Sequence, residues 1–216
     1  MRVAIFGVGA LASIFLNCIK NTNKDDVILF ITDSPDSSSF EGIPHISFDK
    51  FSSSDYKYDT NIFIAVGPSH INQKRFEIFD KFRKIGCSFY RYKSPHSLYE
   101  GELADNVFIG DFVSIGASVK IGSGTFIWEN VVISHNVDIG EFVYISPGAI
   151  IGSYVQISSN SLLGMGAIVK PRVNIARKSL IGAGAYISKN TLECGVYAPA
   201  KSAFLGQVSE KIDISK

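Results

Sequence analysis

The sequence predicts an α/β Rossmann-like domain over residues 1–96 and a parallel β-helix over residues 97–216, and three observations carry that expectation. An apolar strand runs straight into a glycine turn, Gly7-Val8-Gly9-Ala10-Leu11-Ala12. Strand-like and helix-like stretches then alternate over about the first ninety residues. From Ile109 to Ile187, every sixth residue is Ile, Leu or Val without exception.

The elements follow in order. RVAIFGV reads as a strand, ALASIFLNCIK as a helix, VILFIT as a second strand and SPDSSSFEGIP as a polar loop. NIFIAVG is a further strand, the pattern from Ser69 to Ile85 an amphipathic helix, and CSFYRY a closing strand. Strand and helix in alternation imply a small parallel sheet. At the first turn, Val8, Gly9 and Ala10 offer bare N–H groups at a helix start, which suits an anion such as a phosphate. Asp33 ends the second strand, where it can reach a ribose or sugar hydroxyl. The second mononucleotide half of a dinucleotide site is missing, so one nucleotide's worth of binding is expected. KSPHSLYEGEL joins the two parts, with Pro95 breaking the strand pattern.

A period of six excludes a helix, whose faces repeat near 3.6. It fits one flat side of a prism: a short strand sends its aliphatic inward, then Gly or another small residue turns the chain. Two residues before each inward aliphatic stands mostly Val (Val107, Val113, Val119, Val131, Val137, Val143, Val155), and one residue after it often Gly (Gly110, Gly116, Gly122, Gly140, Gly152, Gly164, Gly182). Three such sides close a coil of eighteen residues, and coils stack as parallel strands about 4.8 Å apart.

Composition removes several classes. The chain has 216 residues and net charge +1 with no basic stripe, so no nucleic acid partner is expected. Cys18, Cys87 and Cys194 are odd in number and lack CxxC spacing, which fits a reducing, cytoplasmic setting. Gly7, Gly9 and Asn17 interrupt the first apolar run, so neither a signal peptide nor a membrane partner is expected. A zinc enzyme on this rod would need several histidines, and the rod holds only His135; no metal is expected. His45, His70 and His96 lie outside the rod and read as incidental.

A shortened Rossmann-like domain leading into an uninterrupted hexapeptide rod resembles the sugar acyltransferases of the PglD and NeuD type. The residues that carry the resemblance are the opening glycine turn, FITDSP, FIAVG, SHNVDIGEFVYISPGA, LLGMGAIV, LIGAGAYIS and the closing GVYAPAK. It implies a left-handed β-helix, acetyl-CoA as co-substrate, a nucleotide-linked amino sugar as acceptor, or sialic acid in some members, and a homotrimer. His135 matches the family's general base, and Asn136 stands where its acidic partner normally does. Tyr144 falls where a second histidine contacts the acetyl donor. Gly164, Met165, Gly166 and Ala183 match the CoA groove, and Val8, Gly9, Ala10, Asp33 and Gly67 the nucleotide-sugar site.

Stacking arithmetic adds to this. Ala117 and Ser153 lie eighteen residues below and above His135; both are small, so the imidazole is expected to stand clear. Met165 and Ala183 share one edge of the prism, with Tyr144 assigned to the same edge, while His135 belongs to another. A trimer would bring the two edges together, with Trp128 either filling that interface or lying on the surface. A neutral imidazole is suited to take the proton of an attacking amine. Asn136 orients the ring without adding charge, which favours N-acylation over O-acylation; a binding scaffold that has lost catalysis is the alternative.

Overall fold

The computed structural model describes residues 1–22, 25–200 and 202. The N-terminal domain is a six-stranded sheet. Its elements are β1 (Arg2–Phe6), α1 (Ala10–Thr22), β2 (Asp26–Thr32), β3 (Ser39–Phe40), β4 (Ile43–Ser47), α2 (Phe48–Ser52), α3 (Tyr56–Asp59), β5 (Asn61–Ile64), α4 (Gln73–Lys84) and β6 (Ser88–Phe89). The strand order is β3-β4-β2-β1-β5-β6, parallel except for the β3–β4 hairpin. That hairpin takes up part of the polar stretch expected to be loop.

Strands such as β1 are apolar on both sides because helices cover both faces of a parallel sheet. Val3, Ile5 and Phe30 pack with Phe15, Leu16 and Ile19 of α1. Ala4, Phe6, Leu29 and Ile31 pack with Ile78, Phe79 and Phe82 of α4. α4 begins at Gln73, later than its sequence pattern, because His70, Ile71 and Asn72 hold positive φ and cannot enter a right-handed helix.

The rod is a three-sided parallel β-helix of the left-handed hexapeptide type. Its first face stacks Phe108–Ile109, Phe126–Ile127, Tyr144–Ile145, Leu162–Leu163 and Leu180–Ile181. The second stacks Ser114–Ile115, Val132–Ile133, Ile150–Ile151, Ile168–Val169 and Tyr186–Ile187. The third stacks Lys120–Ile121, Asp138–Ile139, Gln156–Ile157 and Asn174–Ile175. The aliphatics of the six-residue series are buried except Ile115, which is partly open at the rod's base. The first face begins with Tyr92–Lys93, before the expected boundary near residue 97.

The glycines after the inward aliphatics serve close approach rather than positive φ. A Cβ on Gly116 would stand 2.7 Å from His135 N, and one on Gly122 would stand 2.6 Å from Gly140 C. Left-handed backbone falls instead two residues later, in three columns. One column is Phe112, Asn130, Gly148, Gly166 and Gly184; the second is Ser118, Asn136, Tyr154 and Arg172; the third is Asn106, Gly124, Phe142, Asn160 and Lys178.

An aromatic seam joins the two parts. Phe63 of β5 stacks on Phe126 at 5.7 Å, and Phe15 of α1 meets Phe108 at 4.8 Å and Trp128 at 5.9 Å. Trp128 is therefore neither a subunit-interface residue nor a surface aromatic: α1 covers the face it projects from, and it is 6% exposed. Tyr92 stacks on Phe108 at 5.2 Å while its hydroxyl pairs with Thr22 at 3.0 Å, pinning the end of α1 to the rod.

Burial pushes the Tyr92 phenol up to about 12 from its ordinary 10, with the Thr22 bond working the other way. Above pH 10 the unfolded chain releases this proton while the folded chain keeps it, so the contribution is complete below pH 10 and lost as pH rises through 12. Denaturant titrations across that window should show a shallower alkaline loss of stability in Tyr92→Phe than in the native chain; equal slopes would count against the assignment.

Candidate active site

Three places in this fold gather the candidate residues. The first is the crevice at the ends of β1 and β5, where the strand order reverses and α/β sheets bind ligands. Gly7 has φ +118° and its N–H donates to Ile31 O at 2.9 Å; a Cβ there would press on Ala65 O at 3.0 Å. Only glycine fits, and the turn so formed leads Val8, Gly9 and Ala10 into α1. Across the crevice, a Cβ on Gly67 would touch Leu11 at 3.3 Å, so Gly67 faces the turn. Asp33 lies at the end of β2 but is ion-paired with Lys81 of α4 at 2.6 Å, both side chains largely exposed. A hydroxyl at Asp33 would compete with that weak surface pair.

The second place is the edge between the second and third faces. His135 and Asn136 are both exposed there, with His135 Nδ1 2.9 Å from Asn136 Nδ2. The left-handed backbone of Asn136, φ 55°, swings its amide beside the ring. Turning the amide over places Oδ1 against Nδ1–H and leaves the Nε2 lone pair free, the form a base requires. The imidazole does not stand clear, as stacking with Ala117 and Ser153 alone implied. Tyr154, one coil above Asn136, meets the ring edge-on at 5.2 Å, and Arg172 lies 5.2 Å over Tyr154. Sequence arithmetic missed Tyr154 because it counted the column of His135 and not the adjoining left-handed column. Beside His135, one coil lower, is a hollow of about 710 Å³ lined by Leu98, Tyr99, Ile115, Ala117 and Ser118.

The third place is the edge between the first and second faces. Met165 is 62% exposed, Gly166 and Ala183 are exposed, and Gly184 N–H bonds Met165 O at 2.8 Å. Gly164 is buried below the corner of the next coil, where a Cβ would come within 2.5 Å of Ala183 N. Tyr144 does not share this edge. It projects from the first face, half-buried against Trp128 at 5.9 Å and Phe126 at 6.4 Å. Burial raises its phenol above the ordinary value, the Arg75 guanidinium pulling the other way. The edge of His135 and the edge of Met165 thus bound opposite sides of the second face, and no single chain joins them.

The PglD N-terminal domain family matches residues 2–82, and the bacterial transferase hexapeptide family (six repeats) matches residues 102–135 and 119–153. The chain joins a PglD N-terminal domain to a bacterial transferase hexapeptide rod. Curated proteins yield no match to the sequence. Among solved structures, a mutant of perosamine N-acetyltransferase from Caulobacter crescentus, bound to CoA and GDP-perosamine, is 21% identical; the match covers 92% of this chain and 93% of that one, with a TM-score of 0.81. WeeI from Acinetobacter baumannii AYE is 20% identical over 91% of this chain and 96% of its own, with a TM-score of 0.77. The acetyltransferase domain of PglB from Neisseria gonorrhoeae FA1090, bound to acetyl coenzyme A, is 22% identical over 94% and 98%, with a TM-score of 0.69. At these identities the likeness establishes the shared fold, and the PglD domain and hexapeptide rod match the resemblance drawn from the sequence motifs.

The two glycine classes of the site should respond differently to a methyl group. Gly164→Ala forces the Ala183 backbone to shift and should cost roughly 1–3 kcal/mol in denaturant unfolding. Gly9→Ala, with nothing within 4 Å of the added Cβ, should leave stability within about 0.5 kcal/mol. Equal losses in the two variants would contradict this assignment of space.

Proposed function

We propose that this chain is an acetyl-CoA-dependent N-acetyltransferase acting on the amino group of a nucleotide-linked sugar (dTDP-, UDP- or GDP-linked), with His135 as the general base. The observation that carries the proposal is the joining of a PglD domain, its crevice open at the strand-order reversal, to a hexapeptide rod with an exposed imidazole on one edge. The solved relatives bound to CoA and GDP-perosamine, or to acetyl coenzyme A, support the same donor and acceptor classes here.

The crevice takes the nucleotide sugar: N–H groups of Val8, Gly9 and Ala10 meet the phosphates, Gly67 keeps the opposite wall low, and Asp33 exchanges Lys81 for a hydroxyl. Acetyl-CoA lies along Met165, Gly166 and Ala183, with Gly164 setting the spacing of that corner; Tyr144, turned toward Trp128 and Arg75, lies off this groove. Both edges serve one reaction in a homotrimer. Val132, Ile150, Ile168 and Tyr186 project from the second face at 43%, 45%, 40% and 62% exposure, an apolar stripe between the two edges. The corresponding positions of the third face are Lys120, Asp138, Gln156 and Asn174. Packing the apolar stripes around a three-fold axis sets the Met165 edge of one copy against the His135 edge of the next, three times over.

In the reaction the sugar amine attacks the thioester carbonyl, forming the C–N bond. Nε2 of His135 takes the amine proton, the C–S bond breaks and the CoA thiolate leaves with a proton. With its amide turned over, Asn136 holds the ring by accepting from Nδ1–H, but it adds no negative charge to stabilise an imidazolium. Such a base suits an amine, part of which is already neutral at pH 7, better than a sugar hydroxyl. A reducing, cytoplasmic setting accords with the free thiols of Cys18, Cys87 and Cys194.

The decisive assay is release of CoA thiol from acetyl-CoA in the presence of dTDP-, UDP- and GDP-linked amino sugars; a folded chain that releases none with any of them is a binding scaffold. In that assay His135→Ala should lower turnover by roughly 10²- to 10⁴-fold with little change in KM. Near-normal turnover from pH 6 to 9 would show that proximity alone carries the reaction. Ile150→Asp places a charge in the apolar stripe and should convert trimers to single chains in sedimentation, with loss of thiol release. Full activity in a single chain would refute the shared site.

A further inference from the structure

The connection from β5 to α4 carries strain that the rest of the PglD domain does not explain. His70, Ile71 and Asn72 have φ of 50°, 50° and 63°, and the Asn72 N–H donates to Pro68 O at 3.3 Å, closing one left-handed turn. None of the three is glycine, and a β-branched residue such as Ile71 tolerates this backbone least. Strain of this kind persists only where the surroundings over-determine it.

Here they do, through two fully buried polar side chains. Asn72 donates from Nδ2 to Ser161 O at 3.2 Å and accepts at Oδ1 from Arg75 at 2.9 Å. Arg75, itself 0% exposed, also donates to Gly124 O at 3.0 Å and to Val66 O at 3.1 Å, and its guanidinium lies 4.2 Å over the Phe126 ring. No carboxylate pairs with it among the described residues. Burial lowers its pKa to about 9, so the group remains charged at neutral pH. A buried cation without an anion is costly, and an apolar residue of similar volume is often as good or better for stability alone.

The strained turn and the buried cation act on the same segment. Ala65 abuts Gly7, and Gly67 faces Leu11, so the segment begins as a wall of the crevice. It ends fastened to the rod at Gly124 and Ser161. Between those points stand Ser69 and His70, both exposed. We infer that Arg75 is a positioning residue for the crevice: by holding Val66 and Asn72 against the rod, it stands Ser69 and His70 over the crevice mouth, where their donors meet the ligand's diphosphate. His70, incidental by sequence, becomes a ligand contact. This inference rests on the proposal that the crevice holds a nucleotide sugar.

Calorimetric titration of the full chain with UDP, GDP and dTDP, and separately with acetyl-CoA, tests it. For whichever diphosphate the native chain binds, Arg75→Met should weaken affinity at least about tenfold, with acetyl-CoA affinity unchanged. Arg75→Lys should recover only part, because an ammonium cannot span the three acceptors in the plane of a guanidinium. His70→Ala, an exposed change that leaves the clamp intact, should weaken the same diphosphate about fivefold. Native diphosphate affinity in either a folded Arg75→Met or His70→Ala overturns the inference. Equal loss of diphosphate and acetyl-CoA in Arg75→Met would reduce Arg75 to a folding role and overturns it as well. A native chain that binds none of the three removes the nucleotide reading of the crevice, and this inference with it.

Discussion

The strands of the rod are placed by one requirement: their peptide groups must find partners one coil away. Phe126 N–H reaches Val143 O at 2.9 Å, Val132 N–H reaches Ala149 O at 3.0 Å, and Asp138 N–H reaches Val155 O at 3.1 Å, one bond on each face. Buried peptide groups tolerate no gap in such a ladder. Inward positions are then filled by aliphatics, and the outward positions of the faces and the corners carry the side chains that differ from coil to coil. His135, Met165 and Ala183, the residues proposed to serve the reaction, all lie at corners. Gly116 shows how closely scaffold and site are joined, since its missing side chain is the space the His135 backbone occupies.

The seam between the parts follows a different logic. Phe15, Phe63, Phe108, Phe126 and Trp128 supply non-directional burial that would allow the PglD domain to settle at several angles on the rod. Directional bonds remove that freedom. Ile64 N–H donates to Asn106 Oδ1 at 2.8 Å, and Arg75 and Asn72 reach the carbonyls of Gly124 and Ser161. The crevice and the rod edge consequently hold a fixed relation, as the proposed reaction of a crevice-bound ligand at the rod would require.

Much of this was legible in the sequence because it is periodic or local. The six-residue aliphatic series gave the rod's core, and the strand entering Gly7-Val8-Gly9 gave the crevice turn. Separation of the His135 and Met165 edges followed from counting by eighteen. What escaped was set by contacts between distant segments. Trp128 looks like a surface exception to the repeat until α1 is laid over it. Tyr144 has the spacing of its neighbours, but its surroundings come from Arg75 and Trp128. The left-handed turn at His70 has no glycine to announce it, because Asn72 and Arg75 hold it through the carbonyls of Ser161 and Gly124, far away in the sequence.

The ladder also gives the rod something like the reading frame of a gene. Register passes from Ile127 to Ile145 to Leu163, one coil to the next. One residue added within a face would turn later inward aliphatics toward solvent and carry the corners out of line with those below. Extra chain looped out at a corner would leave the frame untouched. Variation in length is thereby channelled to the corners, the same lines on which the proposed site residues stand.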